Sequence, residues 1–219
     1  MDIAFHDILH GAGTAPDRFS CCLDRCRDFL KSASPSKLYA DWFADPDDRR
    51  VMANVTVEAT HIGFIVPPSL LSIRDMNRVA ERAGYGPEFN SYRSAIVAHE
   101  LGTLSGGAPV PTRIQAFGLA GSASPAAHVE VFIPDADAEA LADWIEVDAC
   151  THVGFSLSDA SMLLEIGGVF RRAGYEIPRF MDGRPMINEQ AGIGVVYFDA
   201  PGPLPRRRIE FLLSNVPAA

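Results

Sequence analysis

The sequence predicts an α+β protein in which a unit ordered strand, helix, strand, strand, strand (βαβββ) occurs twice, behind an N-terminal helical extension. Three pairs of matched segments support this prediction, and they follow one another at nearly equal spacing in both copies. They are His-x-Gly-Phe at 61–64 and 152–155, Arg-Ala-Gly-Tyr at 82–85 and 172–175, and a closing segment around Glu130 and Glu210. The matches divide the chain into an extension (1–55), a first module (56–146) and a second module (147–219).

The extension lacks the repeat and any chemical motif. Apolar residues at helical spacing predict one helix over 17–32 and a shorter one over 36–43. The run Asp45-Pro46-Asp47-Asp48 is typical of a turn and is expected to end the second helix. We expect the extension to be a packing or dimerisation element.

Each module is predicted to open with an alternating strand and to continue with an amphipathic helix that ends at a glycine, Gly84 or Gly174. Three strands follow the helix. The predicted strands are 57–66, 94–104, 112–119 and 128–133 in the first module, and 150–157, 181–189, 192–198 and 207–213 in the second.

Composition and charge restrict the classes of partner. The apolar and charged fractions, 47% and 21%, are those of a globular protein, and the net charge of −9 disfavours nucleic acid and anionic lipid. The sequence shows neither a secretory signal nor an apolar stretch of about 18 residues. We therefore expect a cytoplasmic protein that acts on a small molecule. Cys22 and Cys26 lack the second ligand pair of a zinc site and are expected to be reduced thiols.

Strand alternation places four repeated polar residues on one face of the predicted sheets. His61 and His152 lie opposite the apolar residues of the opening strands, and Glu130 and Glu210 point the same way in the closing strands. A single strand histidine is usually a core or edge residue, and a single glutamate usually faces solvent. Two histidines and two carboxylates at equivalent positions instead favour one shared divalent metal, with zinc, nickel, cobalt, iron and manganese all suitable.

Four further residues near the predicted ligands have expected roles. The glycine two residues after each histidine, Gly63 or Gly154, is expected to leave room for a ligand or substrate. His128 shares the face of Glu130 and is a candidate partner of that carboxylate. His99, in the predicted second strand, has no counterpart in the second module and is expected to be structural or to contact substrate.

The segments 61–66 and 208–212 resemble the vicinal oxygen chelate superfamily, which includes glyoxalase I, methylmalonyl-CoA epimerase, extradiol dioxygenases and the bleomycin and fosfomycin resistance proteins. The resemblance covers about residues 56 to 214. It implies that the two βαβββ modules form a curved mixed-sheet cup around one divalent ion. It also implies that His61, Glu130, His152 and Glu210 are the metal ligands.

This resemblance implies a metal-dependent lyase or isomerase of the glyoxalase I or epimerase type, in which a small substrate is chelated through two oxygens and Glu130 or Glu210 moves the proton. One alternative is an Fe(II) or Mn(II) ring-cleavage or 2-oxo-acid dioxygenase that uses His61, His152 and Glu210. A second is a resistance-type protein that sequesters a ligand. The modules can pair within one chain or between the chains of a homodimer.

Overall fold

The computed structural model describes residues 5, 7–32, 34–120, 127–157, 160–182, 186–188, 193–202 and 208–214. The helices of this part are α1 (Asp7–His10), α2 (Ala15–Ser32), α3 (Pro35–Trp42), α4 (Pro46–Val55), α5 (Ile73–Arg82), α6 (Ala95–Leu104), α7 (Ala138–Glu146) and α8 (Leu163–Arg172). The strands are β1 (Thr56–Ile65), β2 (Tyr85–Arg93), β3 (Thr112–Leu119), β4 (His128–Pro134), β5 (His152–Leu157), β6 (Met186–Asn188), β7 (Ile193–Asp199) and β8 (Arg208–Ser214).

The strands form one mixed sheet in the order β2-β3-β4-β1-β5-β8-β7-β6. At its centre β1 pairs antiparallel with β5, so the two halves of the sheet meet within one chain. On either side β4 lies parallel to β1, and β8 lies parallel to β5. Helices pack against this mixed sheet, which confirms the predicted α+β class.

The outer face of the sheet is the apolar one, as strand alternation requires. Ile62, Phe64, Val129 and Phe155 are fully buried there beneath the helices. The glycines after α5 and α8, predicted to end those helices, have φ of +84° and +81°, the left-handed conformation that residues with a Cβ rarely adopt.

The structure corrects the prediction of a strand over 94–104. This segment is helix α6, and the second strand is β2, which ends just before it. Ser94 caps α6 by accepting a hydrogen bond from the backbone N–H of Val97 at 3.1 Å. Because α6 is apolar on most sides, its pattern shows neither the helical nor the strand period clearly.

Helices α4 and α7 were not predicted. The Pro46-Asp47-Asp48 run begins α4: proline needs no partner at a first helical position, and the two acidic residues lie near the positive end of the helix. The predicted strand 181–189 is shorter, since β6 spans Met186–Asn188, while 183–185 and 189–192 lie outside the described residues. Among the described helices, none has the length and apolar character needed to cross a bilayer.

Candidate metal centre

The register of β1 and β5 brings the two repeated histidines together. His61 lies opposite Gly154, and His152 lies opposite Gly63. A Cβ added at Gly154 would lie 2.0 Å from Cε1 of His61, and one at Gly63 would lie 2.5 Å from Cε1 of His152. The two glycines therefore make room for the imidazole of the neighbouring strand, which corrects the expectation that they leave room for a ligand.

Three donor atoms form a small triangle at this point. Nε2 of His61 lies 3.1 Å from Nε2 of His152, and Oε2 of Glu210 lies 2.8 Å and 2.6 Å from these two nitrogens. All three residues are buried. Ligands bound at right angles about 2.1 Å from one ion lie about 3.0 Å from each other, so the triangle has nearly the dimensions of one face of an octahedral site.

The backbone determines which nitrogen of His152 carries the proton. Nδ1 lies 2.7 Å from the carbonyl oxygen of Cys150, which can only accept a hydrogen bond, so Nδ1 must donate. When the ring is neutral, the lone pair of Nε2 therefore faces the carboxylate of Glu210. Two acceptors 2.6 Å apart repel each other unless a cation or a proton lies between them. A divalent ion fits this arrangement.

The second imidazole is held in a similar way. Nδ1 of His61 lies 3.0 Å from Oγ1 of Thr60, which can accept its proton and leave the lone pair of Nε2 facing the triangle. Thr60 was not singled out in the sequence, although a Thr-His pair opens both repeats and was a usable signal.

The charges around Glu210 favour an ionised carboxylate. Burial alone would raise its pKa, but the neighbouring His152 and His61 outweigh burial and hold the pKa of Glu210 well below its usual range. Burial would lower the pKa of His152, and the carboxylate of Glu210 reverses that effect and raises it. The triangle thus combines a buried anion with two imidazoles, a donor set that attracts a cation.

Glu130 lies beside the triangle, on its more open side. Its side chain is 14% exposed, against 5% for Glu210, and one of its oxygens lies within 4.8 Å of ligand atoms on both His61 and His152. Burial raises its pKa, but His61 and His128 more than compensate, so the pKa of Glu130 falls below its usual value. Either carboxylate can therefore complete a metal site with the two histidines.

Two neighbours hold Glu130 in place. The hydroxyl of Tyr92 donates a hydrogen bond to Oε1 at 3.2 Å, and burial together with the charge of Glu130 raises the pKa of Tyr92 so that the proton stays on. Nε2 of His128 lies 3.4 Å from the same oxygen, and the ring of His128 stacks on His61. Sequence reasoning missed Tyr92 because β2 was not predicted at its position.

The four candidate ligands predicted from the sequence converge on one inner face of the sheet, whereas His99 does not join them. His99 lies on α6 and is exposed, not on a strand as predicted. A cavity of about 30 Å³ adjoins Glu130 and Glu210, and Tyr92, Ile96, Val97 and Tyr197 are among its lining residues. A larger groove of about 380 Å³ opens on the outer face near the start of α5 and is lined by none of the four ligands.

No protein-family model and no curated protein matches the sequence. Solved structures do match. Methylmalonyl-CoA epimerase from Mycobacterium tuberculosis is 12% identical over 74% of this chain and 90% of its own, with a TM-score of 0.47. A variant of the Streptomyces coelicolor methylmalonyl-CoA epimerase in complex with 2-nitronate-propionyl-CoA is 14% identical over 74% and 99%, with a TM-score of 0.45.

A hypothetical protein from Bacillus halodurans C-125 is 13% identical over 74% of this chain and 97% of its own, with a TM-score of 0.46. At such identities and TM-scores these likenesses decide nothing about chemistry. The chemistry of this chain is therefore inferred from its own side chains.

Proposed function

We propose that the chain is a divalent-metal-dependent lyase or isomerase of the glyoxalase I or epimerase type, acting on a small substrate chelated through two oxygens. The observation that carries the proposal is the compact triangle that the Nε2 atoms of His61 and His152 form with the buried carboxylate of Glu210. His61, His152 and Glu210 would hold the ion, with Glu130 beside them. A divalent ion bound there supplies a Lewis acid that polarises the substrate oxygens.

Glu130 is the better placed of the two glutamates to act as the base. It is ionised, lies on the open side of the triangle and borders the adjoining cavity, whereas Glu210 is enclosed between two imidazoles. In this role Glu130 takes a proton from the carbon next to a polarised oxygen and returns it. The hydroxyl of Tyr92 orients the carboxylate by its hydrogen bond.

The compact triangle also favours a second candidate, an Fe(II) or Mn(II) dioxygenase. Two histidines and one carboxylate on one face of an octahedron are typical of non-haem iron oxygenases, and Glu130 lies outside that trio. The two candidates differ in their need for dioxygen. Oxygen uptake by the iron-loaded protein with catechols or 2-oxo acids would support the dioxygenase. Proton exchange that proceeds equally well without oxygen would support the isomerase.

The first prediction tests the metal site through two matched substitutions. Glu210→Gln removes a charged ligand and is expected to weaken zinc binding at least about 100-fold. Glu130→Gln is expected to retain the metal. Its rate of exchange of carbon-bound hydrogen into D2O is expected to fall about 100-fold or more, measured by NMR on glycolaldehyde and hydroxyacetone. Metal content is measured by mass spectrometry, and His99→Ala, which removes an exposed histidine, is the control.

Undiminished metal content in both glutamate variants would refute the shared site. Equal loss of metal in the His99→Ala control would show that the protein binds metal elsewhere. Retained metal with unchanged exchange in Glu130→Gln would remove Glu130 from the role of base while leaving the ion site intact.

A further inference from the structure

Helix α6 covers the inner face of the sheet directly beside the candidate metal centre. Six of its ten residues are buried. Ile96 and Val97, at its start, line the same 30 Å³ cavity as Glu130 and Glu210. The start of the helix therefore forms part of the wall of the space beside the two carboxylates.

Backbone contacts fix α6 in this position. Ser94 caps its first turn, and the N–H of Val110 donates to the carbonyl oxygen of Ala98 at 2.9 Å. Near its end Gly102 packs on the backbone of Ala108 so closely that an added Cβ would lie 2.5 Å from the Ala108 oxygen. Both ends of the helix are thus tied to the chain that leads into β3.

A buried ionic cluster also joins α6 to the strand that carries a ligand. Arg208 of β8, two residues before Glu210, contacts Glu100 of α6 and donates two hydrogen bonds to Asp199, at 2.6 Å and 3.0 Å. Glu100 and Asp199 are 3% and 7% exposed. Moving α6 away would leave buried charges without partners, which is costly. These contacts make α6 a fixed cover of the site.

The volume beneath this cover limits the size of the ligand. A space of 30 Å³ corresponds to about two or three water molecules. Two neighbouring oxygens and the two carbons that join them are the smallest chelate of this kind, so a small space favours short ligands. A longer chain would extend towards the lining residues, among which are Ile96, Val97 and the rings of Tyr92 and Tyr197.

We infer that α6 is the specificity-determining element of this site and restricts it to short-chain α-hydroxy carbonyl compounds, the chemical class of glycolaldehyde and hydroxyacetone. The inference rests on the proposed function, because it takes the metal as the group that binds the oxygens. It assigns Ile96 and Val97 the role of excluding longer chains. Glu100 and Arg208 hold these two residues in place.

The test uses the cobalt(II)-loaded full chain and two hydroxamates that share one chelating group. Formohydroxamate has little beyond the chelating atoms, whereas benzohydroxamate adds a phenyl ring. Binding is followed by the change in the visible cobalt spectrum. The native chain is expected to favour formohydroxamate by about 100-fold, and Ile96→Ala with Val97→Ala is expected to reduce that preference below about 10-fold. Leu104→Ala, on an exposed position of the same helix, is the control and is expected to change nothing.

Equal affinity of the native chain for both hydroxamates would overturn the inference, because α6 would then not limit size. An unchanged preference in the double variant would overturn it as well. If the double variant fails to fold, as judged by circular dichroism, Val97→Ala alone serves with the same readout and an intermediate expected preference. Failure to bind cobalt would remove the proposed function and this inference together, whereas cobalt binding without size selection would remove the inference alone.

Discussion

Gly154 and Gly63 are as important for the candidate site as the residues that carry donor atoms. Each lies opposite a histidine of the neighbouring strand and is in close contact with its ring. Any side chain at Gly154 would occupy the position of the His61 ring, and no rotamer of the new side chain avoids this, since the clash begins at Cβ. The fixed position of the donor triangle therefore depends on residues without a side chain.

A pair of glycine substitutions tests this dependence. Gly154→Ala is expected to lower the free energy of unfolding by about 3 kcal/mol, because the His61 ring must shift to accept the new methyl group. Gly167→Ala, inside α8 and with no atom within 4 Å of its added Cβ, is expected to raise it by about 0.5 kcal/mol. Urea denaturation measures both, and a Gly154→Ala protein as stable as the native chain would contradict the expected clash.

For single residues, the sequence predicted the face of the sheet to which each side chain points, but not the distances between side chains on neighbouring strands. The period of two in a strand predicts that His61, Glu130, His152 and Glu210 face one side, and the structure places them together there. The function of the two glycines was misassigned because it depends on the register between β1 and β5, which strand alternation does not reveal. Tyr92 was missed for a related reason, since its strand was predicted in the wrong place.

Helix α6 shows why an element of this kind is difficult to predict. Its residues are apolar on almost every side because they are enclosed between the sheet and the segments that follow, so no polar face marks a period. Length and caps were the remaining signals, and the serine at its start was one of them. Strands β1, β3 and β4 were predicted within about two residues, because they are rich in β-branched and aromatic residues and are short.

The ionic cluster under α6 gives a prediction for this element. Glu100→Gln leaves Arg208 with one carboxylate instead of two in a buried place, and the free energy of unfolding is expected to fall by about 3 kcal/mol. Backbone amides of α6 are expected to exchange hydrogen faster in the variant, as measured by mass spectrometry. Glu139→Gln, on the exposed side of α7, is the control and should change stability by less than about 0.5 kcal/mol. Unaltered exchange within α6 would show that the cluster does not fix the helix.

Across the whole molecule the N-terminal extension packs on both halves of the sheet. Helix α2 packs on α5 and β1, and α4 packs on β1 and α8. Aromatic contacts follow the same pattern, since Phe5 stacks on Phe64 of β1 and Trp42 contacts Phe155 of β5. The extension thus covers the outer side of the central strands. The packing role expected of the extension is therefore observed, whereas the dimerisation role stays a prediction.

The reactivity of the cysteines tests this packing, because a buried thiol reacts slowly while the chain is folded. All four are free thiols, and Cys21 is the exposed one. Burial raises the pKa of Cys22 to about 12 and the pKa values of Cys26 and Cys150 well above their usual range, so these thiols stay protonated and unreactive. The native chain is expected to show one fast thiol with Ellman's reagent and four after unfolding. The Cys21→Ser variant should show no fast-reacting thiol. Two or more fast-reacting thiols in the native chain would contradict the packing of α2.

Only one register between β1 and β5 accommodates both histidines. A slip by one residue would turn a histidine towards the outer face, and a slip by two would set His61 against Ser156 or His152 instead of a glycine. Each imidazole therefore fits only when the strand that carries the other histidine is in the correct register. A chain whose halves join incorrectly loses both nitrogens of the triangle at once, so metal affinity distinguishes correctly assembled molecules from misassembled ones.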